Sequence, residues 1–389
     1  MKIVIAPDSF KESLTAMEVA GAIEAGFRAV FPDAVYVKLP VADGGEGTVQ
    51  AMIDASGGRR VTLDVTGPLG EPVPAFYGLM GDGVTAVIEM AAASGLEQVP
   101  AARRNPLLTT SFGTGQLIRH ALDAGARRFV LGIGGSATND GGAGMLQALG
   151  GRLLDAQGAE LARGGAALAA LERIDVSGLD ARIADCAFDV ACDVNNPLVG
   201  PQGASAVFGP QKGATPEMVE QLDRNLRRYA EVIARDLGQQ VADVPGAGAG
   251  GGMGAAMLVF LKGRLRPGSE IVTAAVGLDA AVADADLVVT GEGRIDGQTI
   301  QGKTPVGVAR VAQRHGKPVI AIAGSLSPGA EAVYGHGIAA VFGAVSRPCT
   351  VEEAMAAAEA NVRAAARNVA SAINTGTQLR HARAGGNPC

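Results

Sequence analysis

The sequence predicts an α/β protein of two domains. One is a doubly wound, parallel-sheet domain built from both ends of the chain; the other is a mixed-sheet α/β domain inserted between them. Three observations carry this. At 389 residues the chain exceeds one ordinary domain. Short apolar runs alternate with amphipathic helical stretches at both ends, which implies parallel strands covered by helices. Between Arg60 and Met90 the pattern changes to consecutive strand-like runs separated by the turn signals Gly67-Pro68 and Gly81-Asp82-Gly83.

Element by element, residues 2–6 read as a buried strand and 15–30 as a helix capped by Thr15 or Ser13. A strand at 34–40 and a helix at 46–56 follow. After the strands of the 60–90 region come a helix at 113–124, strands at 128–133 and 187–191, a long charged helix at 216–236 and a helix at 255–262. The rhythm of the N-terminus returns with strands at 286–290, 318–323 and 338–343 and helices at 305–315, 328–335 and 351–373. The domains are therefore expected at 1–61 plus 276–373, with 62–275 inserted; the polar stretch 374–389 reads as a disordered tail.

Composition excludes several classes of function. Hydrophobic residues make up 48% and charged residues 19%, a globular balance. The 56 glycines follow no short repeat, which excludes collagen-like and solenoid folds. With no Trp, 4% aromatic residues and a net charge of −6, neither an aromatic stacking platform nor a basic stripe for nucleic acid or anionic membrane is present. No signal-like or membrane-spanning apolar run occurs, and Cys186, Cys192, Cys349 and Cys389 form no CxxC pair, so a cytoplasmic location with reduced thiols is expected. His120, His315, His336 and His381 show no metal-ligand spacing. The oligomeric state is left open.

The chemistry lies in six polar, glycine-dense loops at strand ends, where open α/β sheets bind ligands. Asp8, Ser9 and Lys11 follow the first strand: the lysine suits an anion, and Asp8 suits Mg²⁺ or a hydroxyl. Asp43, Gly44, Gly45 and Glu46 combine close backbone approach with oxygen ligands for Mg²⁺. Gly132 to Gly142 contains Ser136, Thr138, Asn139 and Asp140; its N–H groups and hydroxyls suit an anion. The loop also matches GxGxxA, a dinucleotide fingerprint with Asp155 downstream, but it is far more polar than that fingerprint's helix start. Asp193, Asn195 and Asn196 suit a base or a hydroxyl-binding group. Gly246 to Gly254 reads as a backbone cradle or hinge. Last, Gly291, Glu292, Asp296 and Lys303 lie in the loop Thr290–Pro305, in which Gly297 to Thr304 matches GxxxxGKT. The match starts too far from the strand for a P-loop, yet Lys303 beside a helix capped by Thr304 and started by Pro305 suits phosphate.

Lysines, loop carboxylates and glycines without a nucleophile or redox group are what phosphoryl transfer needs, because its catalysis is positioning and charge neutralisation. Two domains around a cleft would exclude water from ATP.

The segments PDSFKESL, VADGGEGT, GIGGSATNDGGAGML, DVNNPL, GAGAGGGMG and TGEGRIDGQTIQGKTPVGVA resemble the bacterial glycerate kinase family of the 2-phosphoglycerate-forming type, over about residues 1–372. Glu12 stands where that family often has Gly. The resemblance implies a flavodoxin-like fold for the domain made from the termini and ATP- and Mg²⁺-dependent phosphorylation of D-glycerate between the domains. Carried onto this chain, Lys11, Ser136 and Thr138 would hold glycerate or the transferring phosphoryl group. Asp43, Glu46 and Glu292 would serve Mg²⁺, and Lys303 would neutralise phosphate charge. Asp193, or second Asp296, would orient the attacking hydroxyl. A nucleotide-dependent oxidoreductase and a non-catalytic sugar-acid-binding protein are the alternatives.

Overall fold

The computed structural model describes residues 1–384. It separates into two compact units, one of residues 1–43 with the chain from 272 onward, the other of residues 44–271. The first crossing thus comes before residue 61, because the helix Thr48–Ser56 packs on the inserted sheet: Val49 and Ile53 lie against Gly78.

The terminal unit is a five-stranded parallel sheet in the order Ala340–Gly343, Val319–Ala323, Leu287–Gly291, Lys2–Pro7, Val35–Lys38. Counted along the unit, this is the 2-1-3-4-5 order of flavodoxin-like folds. The central strands Lys2–Pro7 and Leu287–Gly291 pair Ile3 with Leu287 through Pro7 with Gly291. They are continuous apolar runs because helices cover both faces. Val35–Lys38 is an edge strand and is partly exposed. The helix Ala16–Arg28 starts at Thr15 with a capping box, since the Thr15 side chain accepts from the Glu18 amide while the Glu18 carboxylate accepts from the Thr15 amide. A Cβ on Gly26 would come 2.5 Å from the Arg363 carbonyl oxygen, so this glycine lets the helix cross the C-terminal helix closely.

Three expectations are corrected here. The segment expected as a helix at 328–335 is a 3₁₀ helix, Ala330–His336, bounded by the left-handed residues Gly329 and Gly337. The helix expected over 351–373 is two helices, Val351–Ala356 and Ala358–Ala384. The second runs through positions 374–384, read from sequence as disordered, because Val362, Ala366, Val369 and Ala370 anchor it in the core and its good helix formers carry it onward. The rest of that tail, residues 385–389, lies outside the described residues.

The inserted unit is a six-stranded mixed sheet in the order Arg264–Arg266, Ala187–Ala191, Arg128–Gly132, Thr85–Glu89, Pro72–Leu79, Arg59–Thr66. The first four strands are parallel and the last two close an antiparallel meander. Phe129 and Phe188 stack in its core with ring centroids 4.7 Å apart. The helix Pro216–Leu237, capped by Thr215, buries Leu222, Leu226, Tyr229 and Ile233 at helical spacing. No helix among the described residues is long and apolar enough to cross a membrane.

Candidate functional site

In the terminal unit the ends of the two central strands place Asp8 and Gly291 side by side: the Asp8 amide donates to the Gly291 carbonyl at 2.8 Å. A Cβ on Gly291 would lie 2.0 Å from the Ile322 carbonyl oxygen, so only glycine lets the chain pass here. The Asp8 carboxylate accepts from the Ser9 amide at 2.7 Å and from the Thr304 hydroxyl at 2.5 Å. Burial, then the neighbouring Asp43, push Asp8 up to about 7 against the pull of those two bonds. Glu292 is buried and accepts from the Thr299 hydroxyl at 2.6 Å. Burial raises it as well, while Thr299 and Lys303 hold it back. The Lys303 ammonium stands 3.9 Å from both Glu292 and Asp296. Asp296 differs: the Gln298 amide bond, 2.8 Å, and the Lys303 and Arg294 charges hold it below the usual carboxylate range.

Lys303, not Thr304, is the residue that precedes the helix Thr304–Arg314. This corrects the expectation that Thr304 caps the helix; its buried hydroxyl is spent on Asp8 instead. Lys11 is exposed two residues beyond Ser9. Glu12 adopts φ 61°, a left-handed conformation that glycine takes at no steric cost.

In the inserted unit the Gly132–Gly142 loop leaves the strand Arg128–Gly132 and reaches a helix only at Ala143. That is too late for the fingerprint in which the strand turns straight into a helix. Thr138, Asn139 and Asp140 are fully buried. Asp140 accepts from the Ser111 amide and hydroxyl, both 2.8 Å, and from the amides of Gly142 and Gly144 at 3.1 and 3.3 Å. Its carboxylate therefore organises the loop instead of facing a ligand, and burial raises its pKa. The Asn139 side-chain amide donates to Ser205 at 2.9 Å, while its Oδ1 and the Thr138 hydroxyl are buried with no partner among the described residues.

The glycine cradle locks against this loop. Gly250, Gly251 and Gly252 are successive left-handed residues that kink the first turn of the helix Ala249–Phe260. A Cβ on Gly251 would sit 1.9 Å from the Thr138 carbonyl oxygen, and the Gly141 amide donates to the Gly251 carbonyl at 3.0 Å. Gly44 adopts φ +92° against Ala191, with its carbonyl close to Gly132, so the ends of two strands meet at one backbone. Gly45 accepts from the Thr48 hydroxyl at 2.7 Å, and Glu46 is exposed. Asp193 is exposed and accepts from the Gly268 amide at 3.2 Å, at the start of the helix Gly268–Ala275. Asn195 is exposed, and Asn196 donates to the Gln202 carbonyl at 2.8 Å.

Sequence reasoning missed two residues. Lys212 is 2% exposed, and its ammonium nitrogen donates to the Ser136 hydroxyl and the Thr138 carbonyl, each at 2.7 Å. Burial pulls it down to about 7. Its local signal is a lysine between turn formers, Gly209-Pro210-Gln211-Lys212-Gly213. Glu89, at the end of the strand Thr85–Glu89, accepts from the Val49 amide at 2.8 Å and is raised by burial. It supplies the acceptor at the N-terminus of the helix Thr48–Ser56, where Gly47 has no side chain to do so.

The fold is α/β with its polar loops at strand ends, and comparison with known proteins gives the family. Residues 3–374 match the model of the glycerate kinase family. The chain is 59% identical to the glycerate kinase of Bacillus subtilis over 373 residues, 96% of this chain and 98% of that one. It is 60% identical to the glycerate 2-kinase of Escherichia coli over 376 residues, 97% and 99% of the two. The crystal structure of a Salmonella typhimurium LT2 protein named as a glycerate kinase 2 superposes with a TM-score of 0.91 at 63% identity, covering 97% of this chain and 99% of that one. The chain belongs to the glycerate kinase family and is a kinase.

Proposed function

We propose that the chain transfers the γ-phosphoryl group of ATP to the C2 hydroxyl of D-glycerate, giving 2-phosphoglycerate, in the cytoplasm. The observation that carries this reading is the strand-end cluster of Asp8, Asp43 and Glu292 with Lys303. Two of these carboxylates, Asp8 and Glu292, are pushed up by burial and then by neighbouring carboxylates, Asp43 among them, and a cation stands beside Glu292. Such a cluster gains stability when a further positive charge and a polyphosphate arrive together. The relatives' names supply the substrate. The described cysteines Cys186, Cys192 and Cys349 are free thiols, which suits a reducing compartment.

Among the described residues no group of three or more His, Cys, Asp or Glu side chains is placed to hold a metal by itself. This donor set still fits Mg²⁺, which in kinases takes one or two carboxylates and completes its shell with phosphate oxygens and water. Asp43 and Glu292 would hold it, and Glu46 would act through water. When bound, Mg²⁺ neutralises phosphate charge in the transition state. Lys303 neutralises the phosphates directly. Lys11, Ser9 and the amides at Gly291 orient the phosphoryl group, and Ser136 and Thr138 with Gly44, Gly45, Asn195 and Asn196 orient glycerate. Asn139 and Asp140 hold that loop in shape. Asp193 orients the attacking hydroxyl; Asp296, held ionised by its neighbours, is the second choice.

The test is a coupled assay with D-glycerate, ATP and Mg²⁺ in which enolase is the first coupling enzyme and phosphoglycerate mutase is omitted. Immediate signal supports transfer to C2, because enolase accepts 2-phosphoglycerate only. Signal that waits for mutase moves the phosphate to C3, and silence from folded protein in both assays removes glycerate as the substrate.

A further inference from the structure

The carboxyl ends of four strands of the terminal unit open onto one cavity of about 220 Å³. Phe10 follows the strand Lys2–Pro7, Gly293 follows Leu287–Gly291, Gly324 follows Val319–Ala323, and Val345 follows Ala340–Gly343. This is where a doubly wound sheet takes its ligand. The helices Val351–Ala356 and Ala358–Ala384 close the far wall with Ala354, Met355 and Val362.

We propose that this cavity holds the adenine ring of the nucleotide. The inference rests on the ATP-dependent reading above. The lining is apolar apart from two serines, Asn361 and one charged side chain, Lys11. A carboxylate or a phosphate buried there would lose its hydration without repayment, whereas a neutral aromatic ring gains from the same walls. Size agrees: an apolar cavity of roughly 150 Å³ admits benzene, so 220 Å³ takes a fused bicyclic ring but not a whole nucleotide.

The floor is built thin. A Cβ on Gly324 would press to 2.5 Å from the Gly293 carbonyl oxygen and 3.4 Å from the Phe10 ring, so glycine keeps these loops close together under the cavity. Asn361 is half-buried, and its side-chain amide makes no hydrogen bond among the described residues. An amide presents one donor and one acceptor side by side, the pair that matches adenine N6–H and a ring nitrogen. The direction of the nucleotide follows from chain continuity. Gly293 lines the cavity and directly follows Glu292, while Lys11 lines it three residues after Asp8. A base seated in the cavity thus sends its phosphates past Lys11 toward Asp8, Glu292 and Lys303.

Two variants test this. Ala354→Phe fills the cavity from a half-exposed helix position, and Asn361→Leu keeps the volume but removes the hydrogen-bonding edge. The readouts are titration with a fluorescent N-methylanthraniloyl ADP displaced by ATP or ITP, steady-state KM for ATP and for D-glycerate, and thermal melting. Ala354→Phe is expected to weaken nucleotide binding and raise KM for ATP at least about tenfold, with KM for glycerate within about twofold. Asn361→Leu is expected to weaken ATP about tenfold and to erase the preference for ATP over ITP, which lacks the N6 amine. Wild-type nucleotide affinity in both variants, or a KM change that falls on glycerate, overturns the proposal. Should Ala354→Phe melt early, Asn361→Leu decides alone. A wild-type protein that binds the probe but leaves glycerate untouched removes the glycerate reading and keeps the cavity; full kinase activity with indifferent variants does the reverse.

Discussion

Lys212→Met should change stability in a way that depends on pH. The wild-type amine lies almost wholly buried with two hydrogen bonds of 2.7 Å, to the Ser136 hydroxyl and the Thr138 carbonyl. Methionine matches the volume but leaves both partners without a donor, at about 1–3 kcal/mol each. At pH 9.5, where the native lysine is neutral, the variant should therefore be less stable by roughly 2–5 kcal/mol. Burial pulls the native lysine from the ordinary 10.5 down to about 7. Between those values the unfolded chain binds more protons, so wild-type stability rises with pH there and is lost as pH falls toward 7. A single proton changes stability by at most about 1.4 kcal/mol per pH unit, so wild type should lose roughly 2–4 kcal/mol between pH 9.5 and 7 that the variant does not. The gap should close or invert near pH 6.5. Urea denaturation of both proteins at pH 6.5, 8 and 9.5 measures it, and a gap that stays constant across the three would refute the buried, neutral amine. If the loop also binds substrate, the variant's KM for glycerate rises more than its KM for ATP.

Three further outcomes follow from single positions. Glu12→Gly should raise stability by about 1 kcal/mol with unchanged kcat, since it relieves a left-handed conformation at Glu12; thermal melting reads it. Gly251→Ala places a methyl group 1.9 Å from the Thr138 carbonyl at a position of φ +72° and should cost more than about 3 kcal/mol, or expel the Gly132–Gly142 loop and with it activity. Asp193→Asn should lower kcat by about 10²-fold or more, with Asp296→Asn lowering it less; near wild-type kcat in both, at native stability, removes both from the role of orienting the hydroxyl.

Much of this was legible along the chain. Apolar runs such as Val319–Ala323 announce buried parallel strands because burial on both faces leaves no room for alternation. Glycine beside acids at strand ends marked the loops, and Pro305 marked a helix start. These signals are local, and a sequence shows local order directly. The domain crossing was less legible, since helix Thr48–Ser56 looks like any other helix until its contacts with the inserted sheet are known.

Read along the chain, the residues give the α/β class, the six loops and the chemistry their residue types permit. Which of those residues face inward is set by the packing of distant segments. Asp140 looked like a ligand-binding group and is consumed by Ser111, 29 residues away. Lys212 belongs to none of the six loops and lies under a loop 76 residues earlier in the chain. The same cause acts on both: burial and hydrogen bonding are properties of a side chain's neighbours in space, and those neighbours are chosen by packing, which no short stretch of sequence records.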